Sequence, residues 1–336
     1  TGQDGSYLAE LLLQKGYEVH GIRRKISTDN TINIDHLLNS KKLTDDRLFL
    51  HYGDITDAIS LINIISKKNF DEVFHLSAQS HVHTSFLIPE YTTTVNALGS
   101  MKILEVLKKF SPESKFYNAS TSELYGKVVE PIQNEDTLFN PVSPYAISKL
   151  FSHLITKNYR DAYGMFTCNG ILFNHESPRR GLSFVTRKIT QAVSKIKLGL
   201  EEKLTLGNLY SKRDWGYAKE YVEAMWMMLQ NKEPIDYVIG TGKNYSIKKF
   251  VEKSFKKLDI DLTWEGSGIK EVGINKENNK IIVDIDKFYY RPAEVDVLLA
   301  DASKAKKDFN WSHQAELDDL VSMMIENDYN LIKKNF

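Results

Sequence analysis

The first half of the chain alternates two incompatible hydrophobic periods, and this alternation restricts the possible folds more than any other feature. Residues 6–15 (SYLAELLLQK) place Leu8, Leu11 and Leu12 on one helical face, and Gly16 stops the helix. Residues 17–22 form a short apolar-alternating run, as a strand does, and 48–52 give a second strand closed by Gly53 and Asp54. Residues 58–67 are an amphipathic helix, and 72–78 (EVFHLSA) a third strand. Helical spacing returns over 96–108, with Ile103, Leu104 and Leu107 apolar. A fourth strand (115–119), a long helix (145–160) and a fifth strand (167–173) complete the series. Strands alternating with helices at this pitch predict a parallel sheet covered on both faces.

The fold expected is therefore α/β, a doubly wound, Rossmann-like parallel sheet. The second half is less regular, with Gly, Pro and basic residues around one helix at 183–198. Residues 215–230 read as a helix and 235–239 as a strand that return to the first domain; further helices are expected near 246–257 and 316–327. These features predict two interleaved domains. A cofactor-binding domain takes 1–174 plus about 214–243, and a smaller α/β substrate-binding domain takes about 175–213 plus 244–336.

Composition excludes several classes of function. Lys plus Arg and Asp plus Glu are both 44, so the net charge of zero argues against a nucleic-acid or membrane-surface partner. With 42% hydrophobic and 26% charged residues the chain is ordinary globular material. The longest apolar run, 224–229, falls far short of the ~20 residues of a membrane span. No signal peptide is read, and the lone Cys168 suits a reducing compartment, so a cytoplasmic location is expected. The opening Thr-Gly-Gln-Asp-Gly lacks both Met and a preceding apolar run; a strand and one more glycine are expected before Thr1.

Four stretches carry chemistry. Gly2-Gln3-Asp4-Gly5 leads straight into a helix, the arrangement that places a pyrophosphate on a helix N-terminus. About twenty residues on, where an acidic residue would accept a ribose hydroxyl, stand Arg23 and Arg24, which suit a 2′-phosphate; the cofactor expected is NADP. Ser120-Thr121-Ser122-Glu123 follows the fourth strand, at the edge where open α/β sheets bind ligands. Tyr145 and Lys149, four apart, share a helix face. A tyrosine base at neutral pH needs its pKa lowered by about three units, roughly 4 kcal/mol, from a nearby ammonium together with a bound nicotinamide cation. Alone this pair is a common exposed motif; after a nucleotide-binding half and a hydroxyl-rich strand end it reads as catalytic. His81 and His83 lack a Cys or carboxylate partner and read as packing residues, with no metal expected. Residues 226–229 read as a core helix face.

With these residues in view, the chain resembles the extended short-chain dehydrogenase/reductases and, among them, the GDP-mannose 4,6-dehydratases. The stretches TGQDGSYLAELLLQKGYEVHGIRR, HYGDITD, AQSHV, STSELYGK, SPYAISKL, NGILFNHESPRRG, FVTRKI, GNLYSKRDWGYAKEYVEAMW and YYRPAEVD carry the resemblance. It implies that Gly2, Gln3, Asp4 and Gly5 form the dinucleotide loop, Arg23 and Arg24 the NADP phosphate site, and that Asp54 meets the adenine. Leu76, Ala78, Ser80, His175 and Arg180 would complete the cofactor site. Tyr145 would take the proton of the sugar O4 during oxidation, Lys149 would hold the nicotinamide ribose and lower the tyrosine pKa, and Thr121 would hydrogen-bond O4. Glu123 would remove the C5 proton and help water leave from C6, after which hydride returns from NADPH to C6. Ser80, Glu123, Asn174, Lys188, Gly207, Arg213, Arg291 and Glu294 would hold the GDP-sugar.

An anionic nucleotide sugar needs cations not spent in salt bridges, and Arg179, Arg180, Arg187, Lys188, Arg213 and Arg291 are the expected supply. A homodimer or homotetramer is implied. The 25–35 segment departs from the family pattern, with Ile32-Asn33 where Gly-Arg is expected, which weakens the tetramer contact. The rival readings are a dehydratase of another nucleotide sugar, a 4-epimerase and a non-catalytic NADP-binding regulator. An epimerase shares Tyr145 and Lys149 but has no use for a base at Glu123. A regulator has no need to keep Thr121, Glu123, Tyr145 and Lys149 together.

Overall fold

The computed structural model describes residues 1–336 except 29, 129, 290–294 and 296. Helix α1 (Gln3–Gln14) begins earlier than its apolar period suggests, so Gly2 is the N-cap and Gly5 lies in the first turn. Strands β1 (Val19–Arg23) and β2 (Leu48–Tyr52) pair in parallel as a separate ribbon. Helix α2 (Ala58–Ile65) is capped by Asp57, whose carboxylate accepts from the amides of Ile59 and Ser60. Strand β3 (Glu72–His75), helix α3 (Gly99–Phe110), strand β4 (Lys115–Thr121), helix α4 (Pro144–Tyr163) and strand β5 (Thr167–Leu172) follow the expected series. Ser143 caps α4 and Pro144 opens it, which fixes Tyr145 in the first turn.

After β5 the chain leaves the sheet through β6 (Asn174–Glu176), helix α5 (Val185–Lys197) and β7 (Leu204–Leu206). It returns through β8 (Lys212–Tyr217), helix α6 (Ala218–Gln230) and β9 (Tyr237–Ile239). It leaves again through β10 (Asn244–Ser246), helix α7 (Ile247–Lys257), β11 (Leu262–Glu265), β12 (Val272–Asn275) and β13 (Ile281–Ile285), and closes with helix α8 (Leu317–Asn335). Three larger sheets result, with strand orders β3-β4-β5-β9 (all parallel), β10-β8-β6 and β11-β12-β13-β7.

Apolar clusters lie on both faces of the parallel sheet. On one, Tyr7, Leu8 and Leu12 of α1 and Val222, Met225 and Leu229 of α6 pack on Tyr117, Cys168 and Leu172. On the other, Leu61 and Ile65 of α2, Ile103, Leu104 and Leu107 of α3 and Tyr159 of α4 enclose Phe116. Burial of both faces is the double winding that the alternating periods predict. A further core joins α5, α7 and α8 to β7, β8 and β13 through Val193, Leu206, Trp215, Phe250, Val283 and Met324.

One sequence expectation fails here. Residues 215–217 are not helical: Trp215, Gly216 and Tyr217 pair with Asn174, His175 and Glu176 as the end of β8. The apolar period of α6 runs smoothly into this strand, and periodicity alone does not place the break. The expected packing roles hold elsewhere: Met228 and Leu229 are fully buried on α6, and His81 caps the 82–87 helix by accepting from the Thr84 amide. Among the described residues no His, Cys, Asp and Glu cluster is suited to a metal.

Within the second half, α5 and α8 are joined by a buried ion pair. Asp328 of α8, wholly buried, accepts Arg187 Nε at 3.1 Å and Nη2 at 2.7 Å, and the Thr190 hydroxyl at 2.7 Å. Removing one partner leaves a buried guanidinium uncompensated, so Asp328→Ala should lose about 3–5 kcal/mol of stability. Chemical denaturation measures it, and a loss below about 0.5 kcal/mol, as at a neutral surface site, contradicts the assignment.

Candidate active site

A cleft of about 1610 Å³ runs between β1 and β3 and continues past the carboxyl ends of β3, β4 and β5. Except for Arg179 and Arg187, the described residues that the sequence nominated line it: the Gly2–Gly5 segment, Arg23, Arg24 and Asp54, then Leu76, Ala78 and Ser80 after β3. Thr121, Glu123, Tyr145 and Lys149 line its centre, and Asn174, His175, Arg180, Lys188, Gly207 and Arg213 its far wall. Arg291 and Glu294 lie outside the described residues.

The loop before α1 is built for close approach. A Cβ added at Gly2 or Gly5 would meet no atom within 4 Å, so the space in front of the helix N-terminus is open. Arg23 donates to the Tyr52 hydroxyl and Arg24 to the Tyr91 hydroxyl, each at 2.8 Å, which fixes the guanidinium groups at the end of β1. Asp54 accepts from the amide and hydroxyl of Thr56; despite partial burial these bonds, with Arg24 and Lys102 nearby, keep it ionised.

The central group is buried. Exposure is 8% for Thr121, Glu123 and Tyr145 and 3% for Lys149. The Thr121 hydroxyl hydrogen-bonds Tyr145 and accepts the Glu123 amide at 3.3 Å. Beneath them Tyr145 O accepts the Ser148 hydroxyl, which accepts Asn96 Nδ2 at 3.1 Å, and Asn96 Oδ1 accepts the amide of Gln79. Asn96 and Ser148 thus fix α4 to the loop after β3. No local motif announces them, since they are 52 residues apart.

The ionisation states depart from a simple sequence reading. Burial pushes Tyr145 up to about 12, against the Thr121 hydrogen bond, while burial drives Lys149 down to about 8. The neighbouring ammonium therefore does not make Tyr145 a base unaided. A base at this position would need a cation brought by a ligand, such as the expected nicotinamide.

Most of the expected free cations are already engaged. Arg187 is held by Asp328, Arg179 by Glu10 at 2.5 Å, and Arg180 lies 3.2 Å from Glu176. Arg213 donates to the carbonyls of Lys212 and Val295. Lys188 stands over the Tyr289 ring, 3.4 Å from its centre, an arrangement that leaves its charge available. The sequence could not show the Arg187 and Arg179 pairings, whose acidic partners are 141 and 169 residues away, although Glu176 stands only four residues before Arg180. Gly207 has a packing reason as well: a Cβ there would lie 2.6 Å from the Tyr289 carbonyl.

The fold and this site define a nucleotide-dependent α/β enzyme with a buried Tyr and Lys on one helix and a carboxylate beside them. Solved structures share the architecture at low identity. They include a dTDP-glucose 4,6-dehydratase from Bacillus anthracis in complex with NAD (TM-score 0.80, 19% identity, 99% of this chain and 95% of that one). A UDP-glucose 4-epimerase from Bifidobacterium longum gives TM-score 0.81 at 20% identity, covering 99% and 97%. The RMD protein of Pseudomonas aeruginosa, complexed with NADPH, gives 0.74 at 20%, covering 93% and 99%. The family model for GDP-mannose 4,6 dehydratase matches residues 1–324. The GDP-mannose 4,6 dehydratases of Drosophila melanogaster and Homo sapiens are 54% and 52% identical over the whole chain, covering 86% and 91% of their own lengths. The Vibrio cholerae protein is 49% identical, covering all of this chain and 93% of its own. The chain belongs to the GDP-mannose 4,6-dehydratase family.

Burying the Lys149 ammonium has a measurable cost. Its folded pKa of about 8 lies below the unfolded 10.5, so the penalty is full below pH 8 and vanishes as pH rises towards 10.5. Lys149→Met should stabilise the ligand-free protein by about 3 kcal/mol at pH 7, with the gain shrinking between pH 8 and 10.5. Denaturant melts across that range check it; equal or lower stability for the variant at pH 7 contradicts it.

Proposed function

We propose that this chain dehydrates GDP-mannose to GDP-4-keto-6-deoxymannose, using bound NADP, with Thr121, Glu123, Tyr145 and Lys149 as its catalytic machinery. The activity is that of a carbon–oxygen lyase, EC 4.2.1.47. The observation that carries the residue assignment is the burial of a hydroxyl, a carboxylate, a phenol and an amine together at the end of β4.

NADP fits the residues present: an open glycine loop at a helix N-terminus for the pyrophosphate, Arg23 and Arg24 for the 2′-phosphate, and Asp54 for the adenine. When bound it accepts hydride from the sugar C4 and later returns it to C6. The chain's residues manage the protons. Tyr145 takes the O4 proton, held in line by Thr121, and Lys149 secures the adjoining ribose and stabilises the phenolate. The C4 ketone acidifies the C5 proton, which Glu123 then removes. The same carboxyl delivers a proton to the departing C6 hydroxyl, so elimination needs one acid/base group. On hydride return C5 takes the proton held by Tyr145, exchanged with solvent, so both residues end as they began. A 4-epimerase needs no such group, which favours the dehydratase reading.

We assign the parallel-sheet half, 1–174 with about 214–243, to NADP, and about 175–213 with 244–336 to GDP-mannose. Asn174, Lys188, Gly207, Arg213, Arg291 and Glu294 hold the sugar nucleotide, with Lys188 as its principal cation. No described helix is long and apolar enough to cross a membrane, in keeping with a cytoplasmic location. The working unit is a homodimer. Ile147, Phe151 and Leu154 make a stripe along α4 that is 40–57% exposed, and Leu87, Ile88, Tyr91 and Leu98 extend it onto the preceding helices. A two-fold axis through this face pairs the stripe with its own copy and covers it.

Two experiments test this reading. In single turnover with GDP-mannose, Glu123→Gln should oxidise C4 yet fail to eliminate, trapping reduced cofactor visible by absorbance. Tyr145→Phe should accumulate none; loss of either group should slow overall dehydration by about 10²–10⁴-fold. Normal dehydration by Glu123→Gln would overturn the assignment. Light scattering should give a dimer for the native chain and a 38.6 kDa monomer for Phe151→Glu. A native monomer, or a dimer unaffected by the charge, would contradict the interface.

A further inference from the structure

The pyrophosphate-binding helix carries an apparent flaw: Asp4 sits in its first turn and lines the cleft where an anion must dock. A carboxylate there would repel the ligand that the helix N-terminus attracts. The structure pairs it. His175 Nε2 lies 3.0 Å from Asp4 Oδ2, and its Nδ1 lies 2.8 Å from the Phe173 carbonyl. A carbonyl only accepts, so Nδ1 carries a proton, and a carboxylate only accepts, so Nε2 carries one too. The ring is an imidazolium, stacked on Tyr221 with centroids 4.7 Å apart.

The surroundings sustain that charge. The other Asp4 oxygen accepts Gln3 Nε2 at 3.0 Å, and Gln3 also donates to the His175 carbonyl. Burial opposes ionisation of both partners. The His175 charge nevertheless holds the Asp4 carboxyl at about 2, and Asp4 raises His175 above its ordinary value. The charged and titratable groups facing the pair are Arg180 from the 176–181 loop, Tyr117 from β4, Tyr145 from α4 and Tyr221 from α6, with Glu176 beside it in β6.

We infer that His175 is a positioning residue whose imidazolium neutralises Asp4, so that the N-terminus of α1 presents no net negative charge to the dinucleotide pyrophosphate. Its ring therefore serves the cofactor through Asp4 rather than by direct contact. The pair also fastens α1 to β6, so the loop that receives the cofactor is clamped to the strand leading to the sugar side. The inference rests on the NADP site proposed above.

Titration of the purified protein with NADP, read as binding by calorimetry, tests it. His175→Gln keeps a donor for Asp4 but loses the charge, and should weaken NADP about tenfold. Adding Asp4→Asn should restore affinity to within about threefold of the native protein, because no carboxylate is left to repel the ligand. Native affinity should fall as pH rises through the raised His175 pKa, more steeply than that of Asp4→Asn; Lys149 titrates in both and cancels. The single Asp4→Asn variant keeps both hydrogen bonds with a neutral imidazole, and supplies the pH comparison even if His175→Gln does not fold. Undiminished affinity in His175→Gln, no rescue in the double variant, or equal pH slopes would overturn the neutralising role. A native protein that binds no NADP would instead overturn the cofactor site itself.

Discussion

The parallel pairing of β4 with β5, in register from Phe116 opposite Thr167 to Thr121 opposite Leu172, is the constraint on which the site depends. Strand β4 also pairs with β3, so its backbone is held on both sides. Its carboxyl end therefore delivers Thr121, and the turn after it Glu123, to a fixed place. Helix α4 packs across β4 and β5, and Ser143 and Pro144 set where it starts. Tyr145 and Lys149 reach the same place because they occupy the first turns of a helix whose start is fixed. A parallel sheet leaves its carboxyl edge free of ladder partners beyond the last residue, and function collects there.

Much of this was legible in the chain. The alternation of periods 2 and 3.6 is enforced by burial of both sheet faces, so it survives in the sequence as apolar patterning. Tyr145 and Lys149 are four apart, and Thr121 and Glu123 two apart, so their neighbourhood is local and readable. The cations were not legible. Arg187 meets Asp328 across 141 residues and Arg179 meets Glu10 across 169, and no spacing rule links such positions. His175 and Asp4, 171 apart, escaped for the same reason. The start of α6 was missed because Trp215 serves both the helical period and the end of β8.

Charge management unites these findings. The chain as a whole is neutral, and Arg179, Arg180 and Arg187 are paired with carboxylates, so the site is not a simple basic patch. Instead single charges are placed and their competitors removed. Lys149 is held in a buried place that lowers its pKa to about 8, a cost to the fold that is recovered only when anionic ligands arrive. Tyr145, high at about 12 in the protein alone, needs the opposite help, a cation such as the nicotinamide ring of the proposed cofactor. The catalytic ionisation states are thus properties of the loaded enzyme, built on a rigid scaffold that leaves them poised.

On the proposed mechanism one cofactor molecule would take hydride from C4 and return it to C6 of the same sugar while Tyr145 and Glu123 handle the protons. GDP-mannose labelled with deuterium at C4, converted with the native enzyme and analysed by NMR, tests it most directly. The account predicts deuterium at C6 of the product and a solvent-derived hydrogen at C5. Deuterium retained at C4, or lost to solvent, would contradict it.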